Sequence, residues 1–274
     1  PNATSYFLLD LTDAAGNTAS VSDSGNCFDI ATVPTLDYFA ESFVGSTASL
    51  ESHTFTFTPA ATNNGYIACS SAAAGYPTSI TGSTSLTLDD DGVADVVLTP
   101  GHAVALYGET FDTVHICANG FVTLDTPDTA YDGTLDQQFG HKRVSAFFHD
   151  LSPQLRGSVS YKETSDRLAI TWDNVPEYTQ STLIAANTHS FQMELYYDGR
   201  IALTYLQLYA TSAVVGLSRG LGTPTDFVGS NFLAYGNCGS GDADHDGLPD
   251  AWEILTGLNP NSAAGNDGAN ADPD

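Results

Sequence analysis

Short segments of alternating apolar and polar residues, separated by glycine-containing turns, repeat through most of this chain. The segment "HTFTFTP" at residues 53–59 shows the pattern clearly, and a period of two indicates a strand with one buried face. No stretch supports a helix of ten residues. The pattern therefore predicts an all-β fold, an antiparallel β-sandwich of roughly a dozen strands over residues 29–235.

Three hairpins are predicted from aspartate–glycine or asparagine–glycine dipeptides, which favour tight turns between antiparallel strands. They are centred on Asp91-Gly92, Asn119-Gly120 and Asp198-Gly199. Further strands are predicted at 102–108, 143–151, 157–164, 167–175 and 213–220. Near the amino end, residues 4–24 read as two short strands around Gly16-Asn17.

The charge balance excludes two classes of partner. The chain has 33 acidic residues against seven Lys and Arg, and its formal net charge is −26. Nucleic acids and anionic membranes both require clustered cations, so neither is an expected partner. No run of 18 apolar residues occurs, so membrane insertion is not expected. The first residues lack a signal peptide, and we expect the chain to be a piece of a longer protein.

Four widely spaced cysteines, Cys27, Cys69, Cys117 and Cys238, suit an oxidising compartment and one or two disulfides. Three full pairings are open. One is a nested arrangement in which Cys69 pairs with Cys117 inside the domain and Cys27 with Cys238 ties its ends. Four free thiols remain the alternative.

The segment "GDADHDGLPDAWE" at residues 241–253 concentrates carboxylates at a regular spacing. Gly247 occupies the sixth position, where a twelve-residue calcium loop bends sharply. Oxygen ligands at alternate positions and a distal glutamate that binds through both oxygens are what Ca²⁺ requires. The predicted Ca²⁺ ligands are Asp242, Asp244, Asp246, the backbone carbonyl of Leu248, Asp250 and Glu253. An acidic solvated turn ahead of a capped helix is the alternative.

This loop departs from an EF-hand. No helix can precede it, and Pro249 lacks the N–H that pairs two EF-hand loops. Proline instead suits the start of a short exiting helix over "PDAWEILTG". The segment resembles the thrombospondin type 3-like calcium repeats of secreted bacterial proteins. A second, incomplete site of the same kind is predicted at Asn270, Asp272 and Asp274.

No catalytic motif stands in a suitable context, and the chain is not expected to be an enzyme. Several other positions could form sites, and we expect a structural role for each. They are the pair His149 and Asp150, the histidines His102, His115 and His189, the acids Asp89 to Asp91, Glu109 and Asp112, and the aromatics Trp172, Tyr178, Tyr196 and Tyr197.

The block from Asp37 to Tyr235, with "VALYGETFDTVHICANGFVTL" and "GSVSYKETSDRLAITWDNVPEY" among its segments, resembles β-rich, NIDO-like extracellular modules of large secreted bacterial proteins. Residues 1–28 resemble the closing hairpin of an immunoglobulin-like or fibronectin-like repeat. The predicted division is therefore 1–28, a sandwich at 29–235, and a calcium segment at 236–274. The resemblance implies an accessory, surface or adhesive role and brings no catalytic residues.

These observations predict a non-catalytic, calcium-binding structural or adhesive module, extracellular or on a bacterial cell surface. Its expected partners are Ca²⁺ and either neighbouring domains or identical subunits. Two alternatives stay open. One is a self-assembling fibre subunit, completed by its neighbours through strand addition. The other is a carbohydrate-binding accessory module of a secreted enzyme, in which exposed aromatic rings would contact glycans.

Overall fold

The computed structural model describes residues 8–12, 18–22, 38–59, 65–178, 187–225 and 227–238. Over these ranges the chain forms strands joined by turns, with one short α-helix, α1 (Leu135–Gly140), and two 3₁₀ helices, Ala48–Leu50 and Phe232–Ala234. The strands are β1 (Leu8–Thr12), β2 (Thr18–Ser22), β3 (Phe39–Val44), β4 (His53–Pro59), β5 (Tyr66–Ala72), β6 (Thr84–Leu86), β7 (Val93–Val97), β8 (Val104–Leu106), β9 (Glu109–Phe111), β10 (Thr113–Cys117), β11 (Phe121–Thr123), β12 (Lys142–Phe148), β13 (Ser158–Glu163), β14 (Arg167–Pro176), β15 (Thr188–Tyr196), β16 (Ile201–Gln207) and β17 (Ser212–Arg219).

Two large sheets carry the fold, and every strand pairing within them is antiparallel. The six-stranded sheet has the order β3-β17-β12-β11-β10-β7, and the seven-stranded sheet has the order β5-β4-β16-β15-β14-β13-β6. Two small hairpins, β1-β2 and β8-β9, complete the pairing. The predicted all-β antiparallel sandwich is confirmed. No helix in the described ranges is long and apolar enough to cross a membrane.

The core lies between the two large sheets and is rich in aromatic rings. Trp172 of β14 is fully buried and stacks on Phe191 with 5.0 Å between ring centroids. Its indole N–H donates to the carbonyl of Ala118 at 3.0 Å. The Tyr205 hydroxyl of β16 donates to the carbonyl of Ala146 on β12 at 2.6 Å. The polar tips of these two buried side chains thus find backbone acceptors in the facing layer, and these bonds join the two layers.

Two of the three predicted central hairpins are present. β10 pairs with β11 across Asn119-Gly120, and β15 pairs with β16 across Asp198-Gly199. Of the first dipeptide, only Gly120 adopts a positive φ, 78°. A Cβ on Gly120 would lie 2.0 Å from the carbonyl oxygen of Phe147, so close backbone approach also requires glycine there.

The predicted hairpin around Asp91-Gly92 is wrong. β6 pairs with β13 in the seven-stranded sheet, whereas β7 pairs with β10 in the six-stranded sheet. The turn therefore carries the chain from one layer to the other. Leu88 and Val96, on either side of it, are both buried in the common core. A turn dipeptide fixes only the local reversal, and burial of these two residues decides which sheet each strand joins.

The outer face of the seven-stranded sheet is covered by residues 73–83, which connect β5 at one edge to β6 at the other. The Thr78 N–H donates to Gln192 Oε1 at 2.9 Å, and Gln192 Nε2 donates back to the Thr78 carbonyl at 2.8 Å. The Thr78 hydroxyl donates to Glu194 at 2.5 Å. These bonds satisfy two side chains that are buried although they point away from the core.

Part of the outer face of the six-stranded sheet is covered by α1 and the segment before it. Arg143 of β12 is fully buried there, and its Nη2 donates to Asp128 Oδ2. The guanidinium carbon lies 4.1 Å from the ring centroid of Phe121 and 4.7 Å from that of Phe148. A buried cation of this kind is tolerated because a carboxylate and two aromatic faces replace its water.

Candidate functional site

The predicted calcium ligands, Asp242, Asp244, Asp246, Leu248, Asp250 and Glu253, lie outside the described residues, as do Asn270, Asp272 and Asp274. The described chain ends at Cys238, four positions before Asp242. The described residues therefore include the stretch of chain that leads into this segment. This stretch is formed by residues 227–238, which we call the C-terminal strap.

The strap is hydrogen-bonded along the edge of β5. The Ser70 N–H donates to the Gly236 carbonyl at 2.8 Å, and the Cys238 N–H donates to the Ser70 carbonyl at 2.6 Å. The Ser70 hydroxyl donates to the Tyr235 carbonyl at 3.1 Å. These bonds form a short parallel bridge between Ser70 and Asn237, so the strap extends the seven-stranded sheet beyond its last strand.

Aromatic side chains of the strap enter the core between the two sheets. Phe232 is fully buried, with its ring centroid 5.5 Å from Phe55 and 5.8 Å from Phe57. Its backbone N–H donates to Glu41 Oε2 on β3 at 2.7 Å. Burial raises the pKa of Glu41, and the hydrogen bond from Phe232 opposes that shift. The strap thus contacts both sheets and closes one side of the sandwich.

A disulfide joins the strap to the sheet. Cys238 pairs with Cys69 of β5, across 169 positions of sequence. The proposed nested arrangement is therefore wrong in both of its pairs, Cys69–Cys117 and Cys27–Cys238. Cys117 is a buried free thiol in a separate cluster with Phe121 and Phe148 on the outer side of the six-stranded sheet. Cys27 lies outside the described residues. Sequence spacing could not choose among the pairings, because only the sheet order places Cys69 at the edge.

Comparison with protein families matches residues 65–239 to the family described as NIDO related. This range is more than half of the chain. The chain belongs to the NIDO-related family. Searches of curated proteins and of solved structures gave no significant match.

The NIDO-related range encloses the whole loop that the disulfide closes, from Cys69 to Cys238. It begins one residue before β5 and ends one residue after Cys238, so it contains both bonded cysteines. β3 and β4 precede the range, yet β4 lies between β5 and β16 within the seven-stranded sheet. The sandwich of this NIDO-related chain therefore includes strands outside the matched region. Family membership together with the disulfide indicates an extracellular module.

Acidic side chains gather where three segments of the NIDO-related sandwich meet. Asn119, fully buried, donates through Nδ2 to Asp91 Oδ1 at 3.0 Å and accepts from the Leu151 N–H at 2.8 Å. Burial, followed by the charges of Asp90 and Asp91, raises the pKa of Asp150 to about 6. Within the described ranges, no group of three or more His, Cys, Asp or Glu side chains is arranged to hold a metal ion.

The candidate histidines are held by separate partners. His102 lies in the turn before β8 and not in a strand, which corrects its predicted position. Three of the rings contact different carboxylates: His102 Nδ1 lies 2.6 Å from Glu163 Oε1, His115 Nδ1 lies 2.7 Å from Asp95 Oδ1, and His149 Nε2 lies 2.8 Å from Glu177 Oε1. Each pair joins neighbouring segments.

Three of the four aromatic residues that are candidates for glycan contact have their rings packed against other side chains. Trp172 is in the core, as its structural interpretation predicted. Tyr196 has the guanidinium carbons of Arg167 and Arg200 each 4.2 Å from its ring centroid. Tyr197 stacks on His102 at 4.4 Å. Tyr178 is the exposed member of the four, with 44% of its surface accessible.

His189 of β15 is buried in a single protonation state. Its Nε2 accepts a hydrogen bond from the Ala210 N–H at 3.0 Å, so this nitrogen carries no proton. Its Nδ1 lies 3.0 Å from the Val175 carbonyl and must be the donor. Burial is the main cause that lowers the pKa of His189 to about 4. A second proton would remove the acceptor used by Ala210 and place a charge in the core.

We expect His189 to make the NIDO-related sandwich acid-sensitive. The unfolded chain binds a proton at this residue below a pH of about 6.5, whereas the folded chain does so only below about 4. Because the unfolded state then holds more protons, stability falls by about 3 kcal/mol as pH drops from 6.5 to 4. Asp150, with its raised pKa, contributes in the opposite direction. Urea unfolding at several pH values, compared with His189→Gln, isolates the His189 effect. Parallel pH profiles of the two proteins would contradict it.

Proposed function

We propose that this chain is a non-catalytic extracellular module with a structural or adhesive role, and that it binds Ca²⁺ in the segment after the sandwich. The ligands are the carboxylates of Asp242, Asp244, Asp246, Asp250 and Glu253 with the carbonyl of Leu248. The module belongs to a secreted or cell-surface protein of a bacterium. Its sandwich is the rigid body from which the calcium segment leaves.

The observation that carries this proposal is the Cys69–Cys238 disulfide at the base of the acidic segment. A short loop of carboxylates repels itself in the absence of a cation. Anchoring the chain to a sheet edge shortly before this loop reduces the entropy lost when the ligands converge on an ion. The disulfide therefore fixes the chain four positions before Asp242, the first proposed ligand.

A non-catalytic role is supported by the hydrogen bonds of the buried and half-buried titratable residues, which hold neighbouring segments together. Glu163 accepts hydrogen bonds from the backbone N–H and the hydroxyl of Thr99 in addition to its contact with His102. The ring of His189 is committed through both nitrogens to backbone groups. These contacts join turns and strands of the sandwich, which is what a structural part requires.

The calcium site is tested by isothermal calorimetry on the full chain. We expect calcium to bind, and Glu253→Gln to weaken binding at least tenfold, because the neutral amide loses one charge and the two-oxygen contact. Calcium is also expected to protect residues 239–274 from proteolysis. Asp198→Asn, on the β15-β16 turn, is the matched control, since it removes one carboxylate elsewhere and should leave calcium binding unchanged. Absence of binding heat, together with equal proteolysis in chelator, would overturn the calcium assignment.

A further inference from the structure

The four edge strands of the two large sheets differ in length and in whether another segment covers them. β3 is covered by the strap: the Ser230 N–H donates to the Ala40 carbonyl at 2.8 Å, and the Ala40 N–H donates to Ser230 Oγ at 3.1 Å. β5 is covered by Gly236 and Cys238. β6 has only three residues. β7 has five residues, and no described strand pairs with its other side.

The register of β7 shows which backbone groups face outward. Ala118 N–H donates to the Gly92 carbonyl, and Leu98 N–H donates to the Asp112 carbonyl, both at 2.8 Å. Pairing is uniform between these two bonds, and in an antiparallel pair alternate residues bond to the partner. Even-numbered residues therefore bond to β10. The N–H and carbonyl groups of Val93, Asp95 and Val97 point away from it, along an open edge.

The sheet face beside this edge is also uncovered. Val97 is 72% exposed, and the Asp95 side chain is 58% exposed. Next to them lies an open cleft of about 640 Å³ lined by Phe111, Asp112, His115 and Asp125 among others. Asp112 and Asp125 are carboxylates, and no Lys or Arg is among the residues that line the cleft. The whole chain is also acidic, with a net charge of −26.

We propose that β7 is a docking site for an extended segment of a partner protein, which adds to the six-stranded sheet as a further strand. The partner's segment alternates apolar and basic residues. Its basic side chains lie on the outer face beside Asp95 and the acidic cleft, because opposite residues of paired strands share a face. Its apolar side chains continue the inner face formed by Ala94 and Val96, which pack with the core.

A second copy of this chain does not match that chemistry. An added copy would bring another net charge of −26 and another Asp95 at the same edge, and like charges opposite each other destabilise strand pairs. An acidic residue in an edge strand also discourages self-association. The inference rests on the adhesive role proposed above and gives that role a partner. It does not involve the calcium segment, so the two proposals can fail separately.

The test measures binding of a nine-residue peptide to the full chain by fluorescence anisotropy. The peptide alternates lysine and valine, and both of its termini are blocked. A glutamate–valine peptide of the same length is the charge-reversed probe. We expect only the lysine peptide to bind, with affinity that falls as salt rises. Asp95→Lys is expected to weaken binding at least tenfold. Asp136→Lys, exposed on α1, changes the net charge equally and should alter binding less than twofold.

A backbone variant tests strand addition itself. Val97→Pro removes an outward N–H and leaves the β7-β10 bonds intact, so the fold should persist while peptide binding falls at least tenfold. Val44→Pro is the matched control, since Val44 is 87% exposed and its N–H faces outward on β3 like that of Ala40. Equal binding of both peptides, or unchanged binding by Asp95→Lys, would overturn the proposal. A dimer that Val97→Pro dissolves would show a second copy to be the occupant and would also overturn it.

Discussion

Replacing both Cys69 and Cys238 by alanine is expected to lower the free energy of unfolding by about 5 kcal/mol. The disulfide spans 169 positions of sequence, and closing a loop of that length removes a large entropy from the unfolded chain. For a chain of this size the loss corresponds to a fall in melting temperature of roughly 10–20 °C. Urea denaturation and calorimetry of the oxidised protein and the double variant measure the difference.

Reduction of the native protein should reproduce most of this loss without any substitution. Cys117→Ala is the control, because Cys117 is a buried free thiol that takes no part in the bond. Its own cost should be that of a small core truncation, and reductant should destabilise it as much as it destabilises the native protein. A reductant-insensitive melting temperature in the native protein would refute the assigned role of the disulfide.

The second large effect is expected at Phe232 of the C-terminal strap. Phe232→Ala should destabilise the sandwich by about 4 kcal/mol, because a fully buried ring is removed and a cavity remains. The cavity would lie among Phe55, Phe57 and Tyr235, whose ring centroids lie between 5.3 and 5.8 Å from that of Phe232. Urea unfolding at neutral pH gives the value directly.

Leu233→Ala provides the matched control in the adjacent position. Leu233 is 49% exposed, so its truncation should cost no more than about 0.5 kcal/mol. A similar loss from both substitutions would mean that the strap packs without inserting Phe232, and the closed side of the sandwich would need another explanation. The difference between the two variants therefore measures the contribution of the inserted ring.

The sequence by itself determined the type of the elements and much of their placement. Period-two alternation located β4, in which Phe55 and Phe57 are buried and their neighbours are not. Segments of strand-forming residues between turns placed β12, β14 and β17, which are buried on both faces. The dipeptides at Asn119-Gly120 and Asp198-Gly199 placed two hairpins correctly, since few residues tolerate the backbone of a tight turn. The even number of scattered cysteines also pointed to a disulfide, and one is present.

Only the tertiary structure decided how these elements combine. The turn at Asp91-Gly92 separates two sheets and does not close a hairpin, and Cys69 pairs with Cys238 and not with Cys117. Both outcomes depend on which strands lie at the edges, and edge position follows from burying side chains far apart in sequence. The open edge of β7 and the covered edges of β3 and β5 have the same origin. Local patterns specify strands, whereas the shared core specifies their neighbours.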